Sequence, residues 1–135
     1  KGGLFASENY SVFSPEVMVD HTGSAFAQRN TRFLEMVMGN DMVVLIGQAA
    51  SHCVASSIDD LLDWLIQHDP ELARRITILD DCMSAVTVPD GKGGFAADFT
   101  DQAQAALDRF RTAGMNIEKS TTPMEDWKVL PKNFK

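Results

Sequence analysis

The sequence predicts an α/β domain in which helices cover both faces of a parallel sheet. The continuous apolar run 42–46 and the stretch ITIL at 76–79 are typical of strands buried on both faces of such a sheet. A helix-type pattern lies between them, and another follows the second run. Because strands that alternate with helices are joined by right-handed crossovers, this order predicts a three-layer α/β/α architecture related to the Rossmann-like folds.

The first helix of this pattern is predicted over residues 25–38. Ser24 can cap its amino end, and Gly39 can end it. Residues 1–24 before it are punctuated by glycine and proline and predict a loop. The first apolar run follows directly, so the sequence predicts loop, helix and strand in that order.

The second helix is predicted over residues 53–67, where the aspartates fall outside a single apolar stripe. The stripe consists of Val54, Ile58, Leu61, Leu62 and Leu65. Asp69 and Pro70 predict a further helical turn, because aspartate caps helices and proline is favoured in their first turn. The apolar run 76–79 then predicts the second strand.

The remaining residues predict a long loop, a third helix and a weaker third strand. Residues 83–99 contain a proline and three glycines, which is typical of a loop. Thr100 can cap a helix that ends at Gly114, and residues 115–118 form the weaker strand. An open α/β sheet usually has about five or six strands. Part of the sheet is therefore expected outside this sequence.

Composition indicates a globular protein of one domain, with 135 residues, 44% hydrophobic and 23% charged. The formal net charge of -7 argues against nucleic-acid binding, which needs a basic face. The sequence contains no membrane-spanning apolar run and no recognisable signal peptide. Cys53 and Cys82 match neither a metal-site spacing nor a disulfide framework, which favours a cytoplasmic protein with reduced thiols.

Cys53 is the strongest candidate for a chemical role, because it follows the first predicted strand by a short turn and begins a helix. Sites in open α/β sheets lie at the carboxyl ends of strands. A helix amino end favours a thiolate, and its amides can hold an oxyanion. Adjacent helical residues point about 100° apart, so His52 is expected to make local hydrogen bonds rather than act as a base. A structural cysteine, packed like a small apolar residue, is the alternative that spacing leaves open.

More specific information comes from three stretches: GQAASHCV at 47–54, KG at 1–2 followed by YSVF at 10–13, and LDDCMSA at 79–85. Together they resemble the isochorismatase-like cysteine hydrolases, and nicotinamidases in particular. The first resembles the nucleophile motif of that family, and the second resembles the stretch that carries its catalytic lysine. The third is similar to the strand end after the nucleophile helix. The matches occur in family order and cover nearly the whole chain.

The resemblance implies a triad of aspartate, lysine and cysteine. Cys53 would attack an amide carbonyl, Lys1 would stabilise the thiolate and the charged intermediate, and the aspartate would carry a proton to the leaving ammonia. The backbone amides of Ala49 and Cys53 would form an oxyanion hole. The resemblance also implies a cis peptide bond between Gln48 and Ala49.

The aspartate of this triad would precede the lysine, as would the metal ligands of the nicotinamidase branch. The sequence begins at Lys1, so a divalent metal such as zinc would be held by ligands outside this chain. Asp20, Asp41, Asp80 and Asp81 do not stand in the family position and are interpreted as loop or capping acids. An N-terminal segment or a separate chain is expected to complete the fold, since open edges of half a sheet favour aggregation.

Residues 1–122 are thus predicted to be the carboxyl-terminal part of a cysteine hydrolase domain, with a polar tail at 123–135. The resemblance implies hydrolysis of a small, nicotinamide-like amide to acid and ammonia through a cysteine thioester, by a homo-oligomer. The alternatives are an isochorismatase-type or ureido-type hydrolase, and a catalytically incomplete fragment kept for binding or assembly. Tyr10 and Phe13 could line a pocket for a flat aromatic amide or could anchor a loop to the core.

Overall fold

The centre of the fold is a three-stranded parallel sheet with helices packed against it, so the protein is an α/β domain. The computed structural model describes residues 5–7, 9–128 and 130. Its strands, numbered along the chain, are β1 (Val43–Leu45), β2 (Ile76–Leu79), β3 (Thr87–Pro89), β4 (Phe95–Asp98) and β5 (Asn116–Glu118). The parallel sheet has the order β1-β2-β5, with Val43 opposite Ile76 and Thr77 opposite Asn116. The antiparallel pair β3-β4 forms a separate two-stranded sheet.

The first helix, α1 (Thr31–Met38), is shorter than predicted. Its cap is Asn30, whose Oδ1 accepts a 3.1 Å hydrogen bond from Phe33 N. Ser24, the predicted cap, belongs instead to a turn in which its backbone amide donates to Asp20 Oδ1. Ser24 and Asn30 are both suitable capping residues and lie six positions apart. Ser24 is part of the turn around Asp20, so Asn30 caps the helix.

The second helix, α2 (Cys53–His68), matches its prediction closely and supplies much of the core. Its buried residues repeat at three- and four-residue intervals, as expected for the inner face of a helix. They are Ala55, Ile58, Leu61 and Leu65. The predicted stripe was centred slightly off this face, because Val54 and Leu62 are only half-buried.

The third helix, α3 (Thr100–Thr112), packs against α2, and a side-chain ion pair joins the two. Arg109 donates from Nε and Nη2 to the carboxylate of Asp59 at 2.7 to 3.0 Å. Both crossovers, β1 to β2 and β2 to β5, run in the same direction across the sheet. Right-handed connections then place α2 and α3 on one face, which agrees with their mutual contact.

The two predicted core strands differ in burial. In β2 the first three residues are buried, as the apolar run predicts. In β1, however, Val44 is 38% exposed, and Ile46 just after the strand is 61% exposed. The prediction that this strand is buried on both faces is therefore wrong for the described chain. Val43 and Leu45 pack against the core, so the exposed face is the one that carries Val44 and Ile46, which the described residues leave uncovered.

Residues 83–99, predicted to form a loop, contain the β3-β4 hairpin, so the prediction is wrong for this part of the segment. Asp90 organises its turn, because Oδ1 accepts hydrogen bonds from the backbone amides of Lys92 and Gly94. Gly91 and Gly93 adopt φ values of 73° and 91°, which other residues rarely adopt. Two short apolar runs separated by glycine-rich residues are also typical of a hairpin, so the sequence does contain a signal for it.

Residues 123–128 pack against the rest of the domain through Trp127. Trp127 is only 8% exposed, and its indole Nε1 donates a 3.0 Å hydrogen bond to the carbonyl of Thr122. A 3-10 turn, Met124–Asp126, precedes it. The first part of the predicted polar tail therefore contributes a buried aromatic side chain.

Candidate active site

The turn between β1 and α2 places Cys53 at the first position of the helix. Ala49 O accepts hydrogen bonds of 3.1 Å from the backbone amides of His52 and Val54, and Ala50 N donates to Ser84 O at 2.9 Å. These bonds fix the backbone from which Cys53 projects. Gly47 begins the turn with a φ of 139°, a conformation that L side chains rarely adopt.

The two residues of the predicted cis bond lie in this turn. The Gln48–Ala49 peptide bond is cis, and it is the bond at which the resemblance places one. The Gln48 side-chain amide lies 3.0 Å from Ser84 Oγ, on the loop that follows β2. The loop that follows β2 therefore contacts both the backbone of this turn and one of its side chains.

Cys53 lines a cavity of about 380 Å³ along the outer side of β1. The walls are mainly apolar, and Cys53 and Ser57 bring sulfur and hydroxyl groups to the end where the strand finishes. The other walls include Val12, Phe13, Phe33, Val37, Val43, Leu45 and Val54. An apolar cavity with a few polar groups at one end is the usual form of a small-molecule site.

The segment around Tyr10 and Phe13 is attached to the start of α2. Val12 N donates to Ser57 Oγ at 3.1 Å, and Ser57 Oγ donates to the carbonyl of Cys53 at 2.7 Å. Phe13 is 5% exposed, and its ring centroid lies 5.2 Å from that of Phe33. Phe13 thus both lines the cavity and belongs to the core, so the two interpretations of this residue are compatible.

Tyr10 is not among the residues that line this cavity. It is 48% exposed, and its ring centroid is 6.4 Å from that of His52. His52 in turn stands edge-on to Phe99, with centroids 4.7 Å apart. Within the described residues, Tyr10 faces this aromatic group rather than the cavity that Cys53 lines.

His52 makes the predicted local hydrogen bond. Its Nδ1 lies 2.8 Å from Ser51 Oγ, which also accepts a 3.0 Å hydrogen bond from Val86 N. Ser51 was not singled out from the sequence, yet it joins the helix start to the base of the β3-β4 hairpin. The signal for it is weak, because a serine beside a helix start is common.

The candidate aspartates have local partners or lie away from Cys53. Asp80 pairs with Lys119 Nζ at 2.8 Å, and hydrogen bonding to Asp80 raises the pKa of Lys119. Hydrogen bonds from the backbone and hydroxyl of Ser120 lower the pKa of Asp81. The Thr22 hydroxyl and nearby backbone amides lower the pKa of Asp20 in its turn. These contacts agree with their interpretation as loop and capping acids.

Asp41 is exposed in the link between α1 and β1, so it lies at the opposite end of β1 from Cys53. Cys82 lies at the end of a 3-10 turn after β2, and its carbonyl accepts a 3.4 Å hydrogen bond from Gly47 N. Lys1, the predicted catalytic lysine, lies outside the described residues. Among the residues that the structure does describe, no three His, Cys, Asp or Glu side chains are grouped to hold a metal ion.

Comparisons with known proteins give no match, whether to family models, to curated proteins or to solved structures. Over the described part of the chain, no helix is both long enough and apolar enough to cross a bilayer.

Proposed function

We propose that the protein is a cysteine hydrolase that cleaves a small, nicotinamide-like amide to an acid and ammonia. The observation that carries the proposal is the position of Cys53, at the first residue of α2 and in the wall of an apolar cavity. Helix amides and a positive dipole end stabilise negative charge that develops at such a position. The resemblance of the sequence to isochorismatase-like hydrolases with a three-layer fold supports the same assignment.

The reaction proceeds in two steps through a thioester. The Cys53 sulfur forms a bond to the amide carbonyl carbon, the carbon–nitrogen bond breaks, and the nitrogen leaves as ammonia after taking up a proton. Water then attacks the thioester, releasing the acid and restoring the thiol. The backbone amides of Ala49 and Cys53 hold the oxyanion in both steps, and Lys1 stabilises the thiolate.

The proton comes from an aspartate on a segment that packs along the outer side of β1. Two features support this part of the proposal: β1 is an edge strand of the described sheet, and Val44 and Ile46 are exposed there. Parallel sheets are normally covered, so a strand of this composition at an open edge favours a further segment. The same segment would hold any zinc or other divalent metal, as the resemblance implies.

The substrate is a small planar amide, as the resemblance implies. The proposed segment covers the part of the cavity along β1, so the substrate occupies the end that Cys53, Ser57 and Phe13 line. Phe13 contacts the ring of the substrate. We place the enzyme in the cytoplasm as a homo-oligomer, in agreement with its cysteine usage and the resemblance.

The decisive experiment measures ammonia release from nicotinamide by the wild type, Cys53→Ala and Cys82→Ala. Cys53→Ala should lower kcat by roughly 10⁴-fold or more, because the nucleophile is lost. Cys82→Ala, the matched thiol control, should retain turnover. Thermal unfolding of all three proteins shows whether the fold is kept. Turnover by folded Cys53→Ala would exclude the mechanism.

The substrate class is tested by giving the wild type isochorismate and a ureido compound beside the amide. Preference for either would move the protein to the corresponding hydrolase on the same fold. A folded wild type that turns over none of the three would instead favour the assembly or binding role.

A further inference from the structure

The turn between β1 and α2 is bonded to the loop that follows β2. Gly47 N donates to Cys82 O at 3.4 Å. Ala50 N donates to Ser84 O at 2.9 Å. Ala49 lies between these two bonds, and its backbone amide donates to no acceptor among the described residues. The backbone is thus fixed on both sides of an amide whose hydrogen is available to a ligand.

The side chain of Gln48 makes a further contact with the same loop. Among residues 47–50, it is the only side chain that can form hydrogen bonds. Its amide group faces the backbone of Ser84. Because a carbonyl only accepts and a backbone amide only donates, the Gln48 nitrogen donates to Ser84 O at 3.2 Å, and the Gln48 oxygen accepts from Ser84 N at 3.3 Å. Gln48 therefore pairs with Ser84 through two hydrogen bonds, as a backbone segment would.

These contacts restrain the peptide group that carries the Ala49 amide. Gln48 stands on the amino side of that peptide group, and its side chain is held by Ser84. On the carboxyl side, Ala50 N is held by the carbonyl of the same serine. The donors of an oxyanion hole are effective because they already point to the place where negative charge develops, so that no reorganisation is needed during the reaction. The pairing with Ser84 supplies such an orientation.

We propose that Gln48 is a positioning residue of the candidate site, which orients the Ala49 amide toward the substrate oxygen through the backbone of Ser84. Ala49 acts as an oxyanion donor only in the proposed hydrolase, so this assignment rests on that function and adds what orients one of its donors. Gln48 also lines the cavity, so direct contact with the substrate is the competing role.

Steady-state kinetics with nicotinamide separate the two roles. Gln48→Met keeps the length of the side chain and removes both hydrogen-bonding groups. It should lower kcat about tenfold or more and leave KM within about twofold, because the oxyanion forms only after the substrate has bound. Gln67→Met is the matched control, on an exposed position of α2, and should leave both constants within about twofold. A raised KM at unchanged kcat in Gln48→Met would show direct substrate contact and overturn the proposal.

Alkylation of Cys53 by iodoacetamide provides a readout that forms no oxyanion. Its rate should stay within about twofold of the wild type in Gln48→Met, since the side chain is exposed and its loss leaves the core packing intact. A general loosening of the turn would instead change the alkylation rate together with kcat. Equal losses in the two rates would therefore overturn a positioning role for Gln48.

The contact with Ser84 is measured without any substrate by NMR. The side-chain amide protons of Gln48 should exchange with water more slowly than those of Gln67, and Gln48→Met should shift the backbone amide resonance of Ser84. Exchange at equal rates, or an unshifted Ser84 resonance, would overturn the proposal whatever the kinetics show. A wild type that hydrolyses none of the three substrates would refute the hydrolase function, and these spectra would then decide by themselves whether Gln48 holds the turn.

Discussion

The backbone amide of Val12 donates a 3.1 Å hydrogen bond to Ser57 Oγ, although the two residues are 45 positions apart in the chain. The same hydroxyl donates to the carbonyl of Cys53 at 2.7 Å. One side chain thus fixes the segment that carries Phe13 to the turn that carries Cys53. The relationship makes Ser57 a positioning residue for the candidate site.

Replacing Ser57 by alanine should loosen this connection. We expect the free energy of unfolding to fall by about 1 kcal/mol, the usual net value of a hydrogen bond whose partner remains in place. We also expect kcat/KM for the amide to fall more than the stability loss alone would cause, because the cavity wall moves relative to Cys53. Urea unfolding and steady-state kinetics measure the two effects.

Ser56→Ala is the matched control for this change, since it removes a neighbouring hydroxyl on the same helix. It should leave kcat/KM within about twofold of the wild type. An equal fall in kcat/KM in the two variants would show that the hydrogen bonds of Ser57 do not position the site.

Iodoacetamide should modify Cys53 faster than Cys82. Both thiols are half-buried, so exposure alone does not separate them. Cys53 starts a helix of 16 residues, whereas Cys82 ends a 3-10 turn of 3 residues. The helix amino end stabilises the reactive thiolate, and we expect a rate ratio of about ten or more at neutral pH.

Peptide mass mapping of partly alkylated protein gives the rate at each cysteine. The assay needs no substrate, so it tests the environment of Cys53 separately from catalysis. Similar rates at the two residues would contradict the prediction and favour a structural role for both.

The sequence predicted the elements whose signal is local and periodic. The apolar stripe places α2 to within one residue at its carboxyl end, and β2 coincides with the stretch ITIL at 76–79. The start of α1 was predicted six residues too early, because Ser24 and Asn30 have equal capping capacity and only tertiary contacts choose between them. The burial of β1 depends on what packs on each of its faces, which its own residues do not specify.

The local part of the site was predicted from the sequence, but its long-range contacts were not. Cys53 and its turn follow from a strand, small residues and a helix start in sequence. The hydrogen bonds from Val12 to Ser57 and from Val86 to Ser51 connect residues 45 and 35 positions apart. No periodicity in the chain indicates such pairs, so these positioning contacts could be found only in the folded structure.

Truncating Leu61 should destabilise the domain strongly. This side chain is fully buried on the inner face of α2, whereas its neighbour Leu62 is only half-buried. Leu61→Ala should lower the free energy of unfolding by about 3 kcal/mol, through lost burial and the cavity left behind. Leu62→Ala should cost clearly less. Urea unfolding of both variants checks the order, and a reversed order would contradict the packing described for α2.

The Arg109–Asp59 ion pair should contribute little despite its short contacts. The two side chains are 49% and 41% exposed, so water and salt screen their attraction. A double-mutant cycle with Arg109→Ala and Asp59→Ala should give a coupling of about 0.5 kcal/mol, and less at 1 M salt. A coupling above about 2 kcal/mol would show that this pair behaves like a buried one.

Titration of Asp81 should report its contact with Ser120. The backbone amide and hydroxyl of Ser120 donate to the carboxylate at 2.8 Å each, which lowers the pKa of Asp81 in the folded state. Because the folded pKa lies below the unfolded one, this contact stabilises the fold above the unfolded pKa. That stabilisation is lost as the pH falls through the folded value. NMR titration of the side-chain carboxyl carbon should therefore give a midpoint below that of an ordinary aspartate.

Ser120→Ala removes the hydroxyl donor and keeps the backbone donor, so the pKa of Asp81 should rise part of the way toward its ordinary value. Asp98 provides an internal control in the same spectra, since hydrogen bonds from Thr100 lower its pKa independently. Its midpoint should not change in the variant. If Asp81 and Asp98 move together, a general change in the fold or its charge is responsible; if Asp81 does not move, the hydroxyl bond does not hold the carboxylate in solution.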